Sequence, residues 1–133
     1  MGNLTITPAS VAPVRIIEQD TAPTGEAINA GQYCRLDTST GKFVLGNGTT
    51  AAEARSGGIA LNSVASGETL TVLKKGEVDL GDALDSLTYD DDVFLSDTDG
   101  TLADSAGTVS KIVGTVVTGY ANSTPDKLLR VNL

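Results

Sequence analysis

Val93-Phe94-Leu95-Ser96-Asp97-Thr98-Asp99-Gly100-Thr101-Leu102 has the pattern of a tight β-hairpin, because apolar residues flank a turn made of aspartate, threonine and glycine. A related pattern stands about 60 residues earlier, from Tyr33 to Phe43. Each hairpin is followed by two further strand-like runs, 58–61 and 69–73 after the first, 111–117 and 127–131 after the second. These correspondences predict an internal duplication with half-repeats 28–80 and 90–133 that together complete one barrel or sandwich.

The composition favours strands over helices. Of the 133 residues, 40% are apolar, with three Tyr, two Phe and no Trp, so the core must be built mainly from aliphatic side chains. Many Thr, Ser, Asp and Gly residues indicate frequent turns. We therefore predict an all-β protein, a small barrel or sandwich of short antiparallel strands, as a single domain over residues 14–133. One short helix is predicted at 49–55, with a Ser/Thr-type cap, an alanine-rich body and glycines after it.

The first 13 residues predict a flexible, extended N-terminal arm. They contain Pro8 and Pro13, and proline cannot donate a hydrogen bond to a strand ladder. The arm and the residue after it also carry separated apolar side chains that could enter pockets on a partner while the backbone adds to a strand edge. These candidate contact residues are Leu4, Ile6, Val11 and Val14.

Charge and hydropathy narrow the classes of partner. The formal net charge is −8, which disfavours nucleic acid and anionic lipid, and the sole adjacent basic pair is Lys74-Lys75. No run approaches the roughly 20 apolar residues of a membrane span, and the N-terminus lacks the pattern of a secretory signal. A single cysteine, Cys34, indicates synthesis in a reducing cytosol rather than a disulfide-stapled exported domain.

No catalytic or cofactor-binding constellation is present in the sequence. Histidine is absent, which removes His-dependent triads and most zinc sites, and Cys34 is interpreted as a small buried side chain. The aspartates at 90–92, 97 and 99 either shape tight turns, the favoured interpretation, or hold Ca²⁺ in an incomplete loop that lacks the distal glutamate of an EF-hand. We expect no enzyme activity, no metal, no cofactor and no small-molecule substrate.

Several segments, taken in order, resemble the capsid cement (head decoration) proteins of tailed bacteriophages. The strand 92–95 with its Asp-rich turn, the Val-Gly strand around 114–117 and the terminal strand 128–133 resemble the C-terminal part of that family. Upstream, 58–61, 67–72 and 76–78 resemble its Gly-Ile-Ala strand, Gly-Glu turn and Val-rich strand. The resemblance covers about residues 25–133, whereas 47–55 and 1–13 extend beyond the shortest members.

The resemblance implies a virion structural protein that binds the outer surface of an assembled capsid as a homotrimer. Its partner would be the major capsid protein, and it would be made in the cytoplasm of the host bacterium. An alternative is a small β-sandwich module that binds carbohydrate or a cell surface within a larger assembly. The scarcity of aromatic residues, with no Trp, favours protein contacts over a lectin-like site.

Overall fold

The computed structural model describes residues 2–55, 57–120 and 126–133, and this part of the chain is almost entirely β-structure. The all-β prediction is confirmed. The strands form one curled antiparallel sheet with the order β3-β2-β4-β5-β9-β8-β6-β7, and β1 pairs with β5 outside that path. Their bounds are β1 Val11–Pro23, β2 Tyr33–Leu36, β3 Phe43–Leu45, β4 Gly57–Ala60, β5 Thr69–Leu80, β6 Asp92–Leu95, β7 Leu102–Ala103, β8 Ile112–Thr118 and β9 Lys127–Asn132.

The strand order repeats between the two halves of the sheet. The first unit, β2 to β5, has the spatial order β3-β2-β4-β5, and the second unit, β6 to β9, has the equivalent order β7-β6-β8-β9. The two units join where β5 pairs with β9 in antiparallel register, from Lys75 opposite Asn132 to Val78 opposite Leu129. This arrangement is the one that duplication of a four-strand unit produces.

Strand β5 pairs with strands of both units. One of its edges pairs with β1 along nearly the whole length, and the other pairs first with β4 and then with β9. The sequence pattern indicated one strand at 69–73 and a separate Val-rich strand around 76–78, but the structure has a single strand of 12 residues. Gly76 sustains it, because its φ is +142° and a Cβ there would stand 2.1 Å from the carbonyl oxygen of Arg15.

Both end strands of the sheet are covered by residues that flank β1. Before β1, Asn3 bridges to Ala103 of β7, and the N–H of Leu4 donates to the carbonyl of Leu102 at 2.8 Å. After β1, Thr24 bridges to Phe43 of β3. These contacts occupy backbone groups that an uncovered edge would leave open.

The described part of the predicted arm therefore lies along the protein's own body. It contains a single 3₁₀ turn, Pro8–Ser10, and leads directly into β1, which begins at Val11. The boundary predicted between residues 13 and 14 falls inside this strand. Pro13 fits this position, because within the described ranges β1 has a neighbouring strand on one side only.

Apolar side chains form two buried clusters. The larger lies mainly between the second half of β5 and the second unit, and Leu4, Ile6 and Val11 pack against it. The smaller belongs to the first unit and consists of Ile28, Cys34, Phe43, Ala60, Leu70 and Val72. As the sequence predicted, both clusters are chiefly aliphatic.

The helix predicted at 49–55 is wrong. Residues 51–54 form turns, with one helix-like hydrogen bond from the N–H of Ala54 to the carbonyl of Thr50. The N–H of Asn47 bonds to the carbonyl of Glu53, which folds the segment back on itself. A segment this short gains too few bonds to offset helix nucleation, so the tertiary contact prevails over the alanine preference.

We expect Gly76→Ala to lower the free energy of unfolding by about 2–4 kcal/mol, since the added Cβ meets backbone and the residue keeps a strained φ. Gly41→Ala is the matched control, because Gly41 also has positive φ (+71°) but nothing within 4 Å of the added carbon. It should cost about 1–2 kcal/mol. Urea unfolding monitored by circular dichroism measures both, and equal losses would contradict the role assigned to Gly76.

Candidate protein-binding edge

Strand β1 presents a long edge that no other strand in the described ranges pairs with. The strand, Val11–Pro23, pairs with β5 on one side through 11 of its 13 residues, and all of the 13 except Val11 and Ala22 are exposed. The free side of such a strand offers backbone donors and acceptors to an incoming extended chain. Within the described ranges the end strands β3 and β7 each carry a bridge to residues that flank β1, so β1 offers the longest open edge for another strand.

Three exposed apolar side chains lie close together on this edge. Val14 is 39% exposed, Ile16 47% and Ile17 62%. The register with β5 shifts between Pro13 and Arg15 and again between Ile16 and Glu18, so that Val14 and Ile17 have no direct partner in β5. Bulges of this kind redirect side chains. Exposed apolar side chains beside open backbone groups are typical of protein contacts. Ile17 in addition lines a shallow depression together with Arg15 and Arg130.

The four contact candidates named from the sequence differ in their exposure to solvent. Leu4, Ile6 and Val11 are partly buried against the protein's own core, and of the four only Val14 is exposed. Sequence reasoning missed Ile16 and Ile17. Strict alternation would turn one of two adjacent isoleucines inward, and the bulge that defeats this rule depends on the register with β5, which the sequence does not display.

A polar cluster anchors the strand behind this edge. Glu77 of β5 is buried, and its carboxylate accepts hydrogen bonds from Arg130 Nη2 at 3.0 Å and from the Tyr120 hydroxyl at 2.9 Å. These bonds, with the positive charges of Arg130 and of Arg15 in β1, hold the pKa of Glu77 below its ordinary value. The same carboxylate raises the pKa of Tyr120. The cluster links β5 to β9. It also reaches β1, because Arg15 is paired with Glu77 in the ladder between β1 and β5.

Cys34 and two of the aspartates singled out in the sequence are held within the protein's own structure. Burial raises the pKa of the Cys34 thiol to about 12, which keeps it protonated and unreactive at neutral pH. Asp97 accepts hydrogen bonds from the N–H and the hydroxyl of Thr108, which lower its pKa, and Asp91 accepts one from the N–H of Thr88. Within the described ranges, no three or more His, Cys, Asp or Glu residues converge as a potential metal site.

Sequence comparisons identify no relative of this chain. No protein-family model matches the sequence, and no curated protein is significantly similar to it. Among the residues whose structure is described, none belongs to a helix of the length and apolarity that a membrane crossing requires. The function must therefore be inferred from the residues and their arrangement.

Glu77→Gln should make stability less dependent on pH in the acid range. A carboxyl whose pKa is lowered by folding stabilises the protein above its unfolded pKa, about 4.3, and this contribution disappears as the pH falls through the lower folded value. We expect the free energy of unfolding of the variant to be about 1–2 kcal/mol below that of the wild type at pH 7. This difference between the two proteins should disappear as the pH is lowered. Urea unfolding from neutral to acid pH measures it; a gap that does not vary with pH would refute this role.

Chelation should leave the protein unchanged if its aspartates only shape turns. We expect EDTA to leave the melting temperature where it was, because Asp91 and Asp97 already accept hydrogen bonds from Thr88 and Thr108. A bound Ca²⁺ would instead stabilise the folded state in proportion to its occupancy. A fall of several degrees that added Ca²⁺ reverses would overturn the turn interpretation.

Proposed function

We propose that this chain is a tailed-bacteriophage capsid decoration protein, which binds the exterior of the assembled capsid and stabilises it by bridging capsid subunits. The open edge of β1, with Val14, Ile16 and Ile17 exposed along it, carries the proposal. An extended segment of the major capsid protein would add to this edge, its backbone pairing with β1 and its side chains covering the apolar surface. The order of motifs in the sequence, which resembles that family, supports the same conclusion.

A capsid offers many identical sites, so a small protein gains avidity by making several modest contacts at once. We propose that three copies associate around a three-fold position of the shell, each docking its own β1. The net charge of −8 suits a protein displayed at high density outside a shell filled with DNA, because like charges keep free copies apart. The chain would be made in the cytoplasm of the host bacterium and then join the virion surface.

In this proposal the chain catalyses nothing. Its cysteine is buried and protonated, and the aspartates discussed above are engaged in loops. The alternative of a carbohydrate-binding module needs free aromatic faces. Tyr120 and Tyr89 are exposed, but the hydroxyl of Tyr120 bonds to Glu77 and the ammonium of Lys127 lies 5.5 Å from the ring centre of Tyr89. The ammonium of Lys127 occupies one face of the Tyr89 ring, whereas the hydroxyl bond orients the Tyr120 ring without covering its faces. Two separate tyrosines in a chain with no Trp still favour the capsid proposal over a lectin-like site.

Imaging tests the proposal directly. Purified protein is mixed with expanded capsids that lack a decoration protein, and the product is examined by electron cryomicroscopy. Regularly spaced added density with a three-fold relation is the expected result. Absence of added density at low and at moderate salt would overturn the capsid proposal, and density without a three-fold relation would overturn the trimer.

Ile17→Lys should weaken capsid binding about tenfold or more, equivalent to roughly 1.4 kcal/mol, because docking buries this side chain. Ile112→Lys is the matched control, since Ile112 of β8 is also exposed (46%) but lies outside β1. We expect it to bind within about twofold of the wild type. Co-sedimentation with capsids measures both dissociation constants, and equal effects of the two variants would remove β1 as the docking edge.

A further inference from the structure

A groove opens beside the C-terminal half of β1, in the first unit. It has a volume of about 410 Å³ and lies between Asp20–Ala22 of β1 and the hairpin of β2 and β3. Leu36, which is 45% exposed, and Phe43 give it an apolar lining. Concave surfaces with an apolar lining and a few polar groups are common binding sites.

Lys74 enters this groove through an irregularity in β5. Lys75 is opposite Glu18 and Leu73 is opposite Gln19, so Lys74 has no partner in β1. The bulge places a lysine in the lining whose side chain is only 18% exposed. Its ion pair in the described part of the chain is with Asp20, at 3.6 Å from Nζ to Oδ2, and the Asp20 side chain is itself 56% exposed. The ammonium thus stands in the groove lining beside a carboxylate that is itself largely exposed to solvent.

Arg55 adds a second positive charge to the lining of the same groove. Among the described residues it has no ion pair within 4 Å, and its side chain is exposed. Two cations and one carboxylate give the groove a local excess of positive charge in a chain whose net charge is −8. A ligand that complements it carries a carboxylate next to an apolar group.

We propose that the groove binds an extended segment of the protein partner in which an aspartate or glutamate adjoins an apolar residue. The proposal rests on the proposed function and specifies the chemistry of the docking segment. The acidic side chain pairs with Lys74 and Arg55, and the apolar side chain packs on Leu36 and Phe43. The backbone of the segment continues along the outer edge of β1, from 20–22 toward the exposed Ile16 and Ile17.

Charge reversal tests the groove on capsids. Arg55→Glu changes an exposed residue and should weaken co-sedimentation with capsids about three- to tenfold. Lys111→Glu, which makes the same kind of charge change outside the groove, should alter binding less than about twofold. Added salt should reduce the difference between the two variants. If wild-type protein binds capsids but both variants bind equally well, the groove proposal is wrong while the decoration function stands.

A peptide titration tests the groove without capsids. The capped peptide Thr-Val-Asp-Leu-Thr should shift the amide resonances of Leu36, Arg55 and Lys74, and the same peptide with lysine in place of aspartate should not. Equal shifts with both peptides, or none with either, would overturn the proposal. Equal shifts with sodium valerate alone would also overturn it, because the groove would then be a site for small carboxylates. If the wild-type protein does not bind capsids, the decoration function is wrong. The peptide titration then decides by itself whether the groove binds an acidic segment.

Discussion

The pairing of β1 with β5 is the interaction on which the remaining structure depends. β5 pairs with β4 of its own unit and with β9 of the second, and β1 supports it along nearly its whole length. Gly76 makes this possible, because a side chain at that point would meet the carbonyl of Arg15 and separate the two strands. The residues flanking β1 then cover β3 and β7, so the alignment of one pair of strands determines where both ends of the sheet close.

Local turn chemistry made much of this fold predictable. The hairpins at 33–45 and 92–103 follow from apolar runs around Asp, Thr and Gly, and their repetition indicated a two-unit plan. The continuity of β5 was not predictable, because a glycine in a strand can mark either an end or a bulge and the neighbour of the strand decides which. The helix at 49–55 failed for a related reason, since a bond from Asn47 to Glu53 outweighed local preference.

The candidate edge was only partly predictable. The sequence marked the N-terminal segment as rich in isolated apolar residues, and it named Val14, which is exposed. It could not tell whether Leu4 and Ile6 cover the protein's own core or another molecule, because the apolar pattern is the same in both cases. The exposure of Ile17 and the position of Lys74 both arise from bulges, and these depend on how two distant segments align.

The direction of mechanical load follows from the geometry of β1. Its hydrogen bonds to β5 lie across the strand, so a pull along the strand axis loads many of them together in shear. A pull perpendicular to the axis would break these hydrogen bonds sequentially, because only the bond at the end of the ladder carries the load at any moment. Resistance to force is set by the barrier to unfolding, which is higher when many bonds must yield at once. A partner strand lying along the outer edge of β1 would transmit tension in the resistant direction.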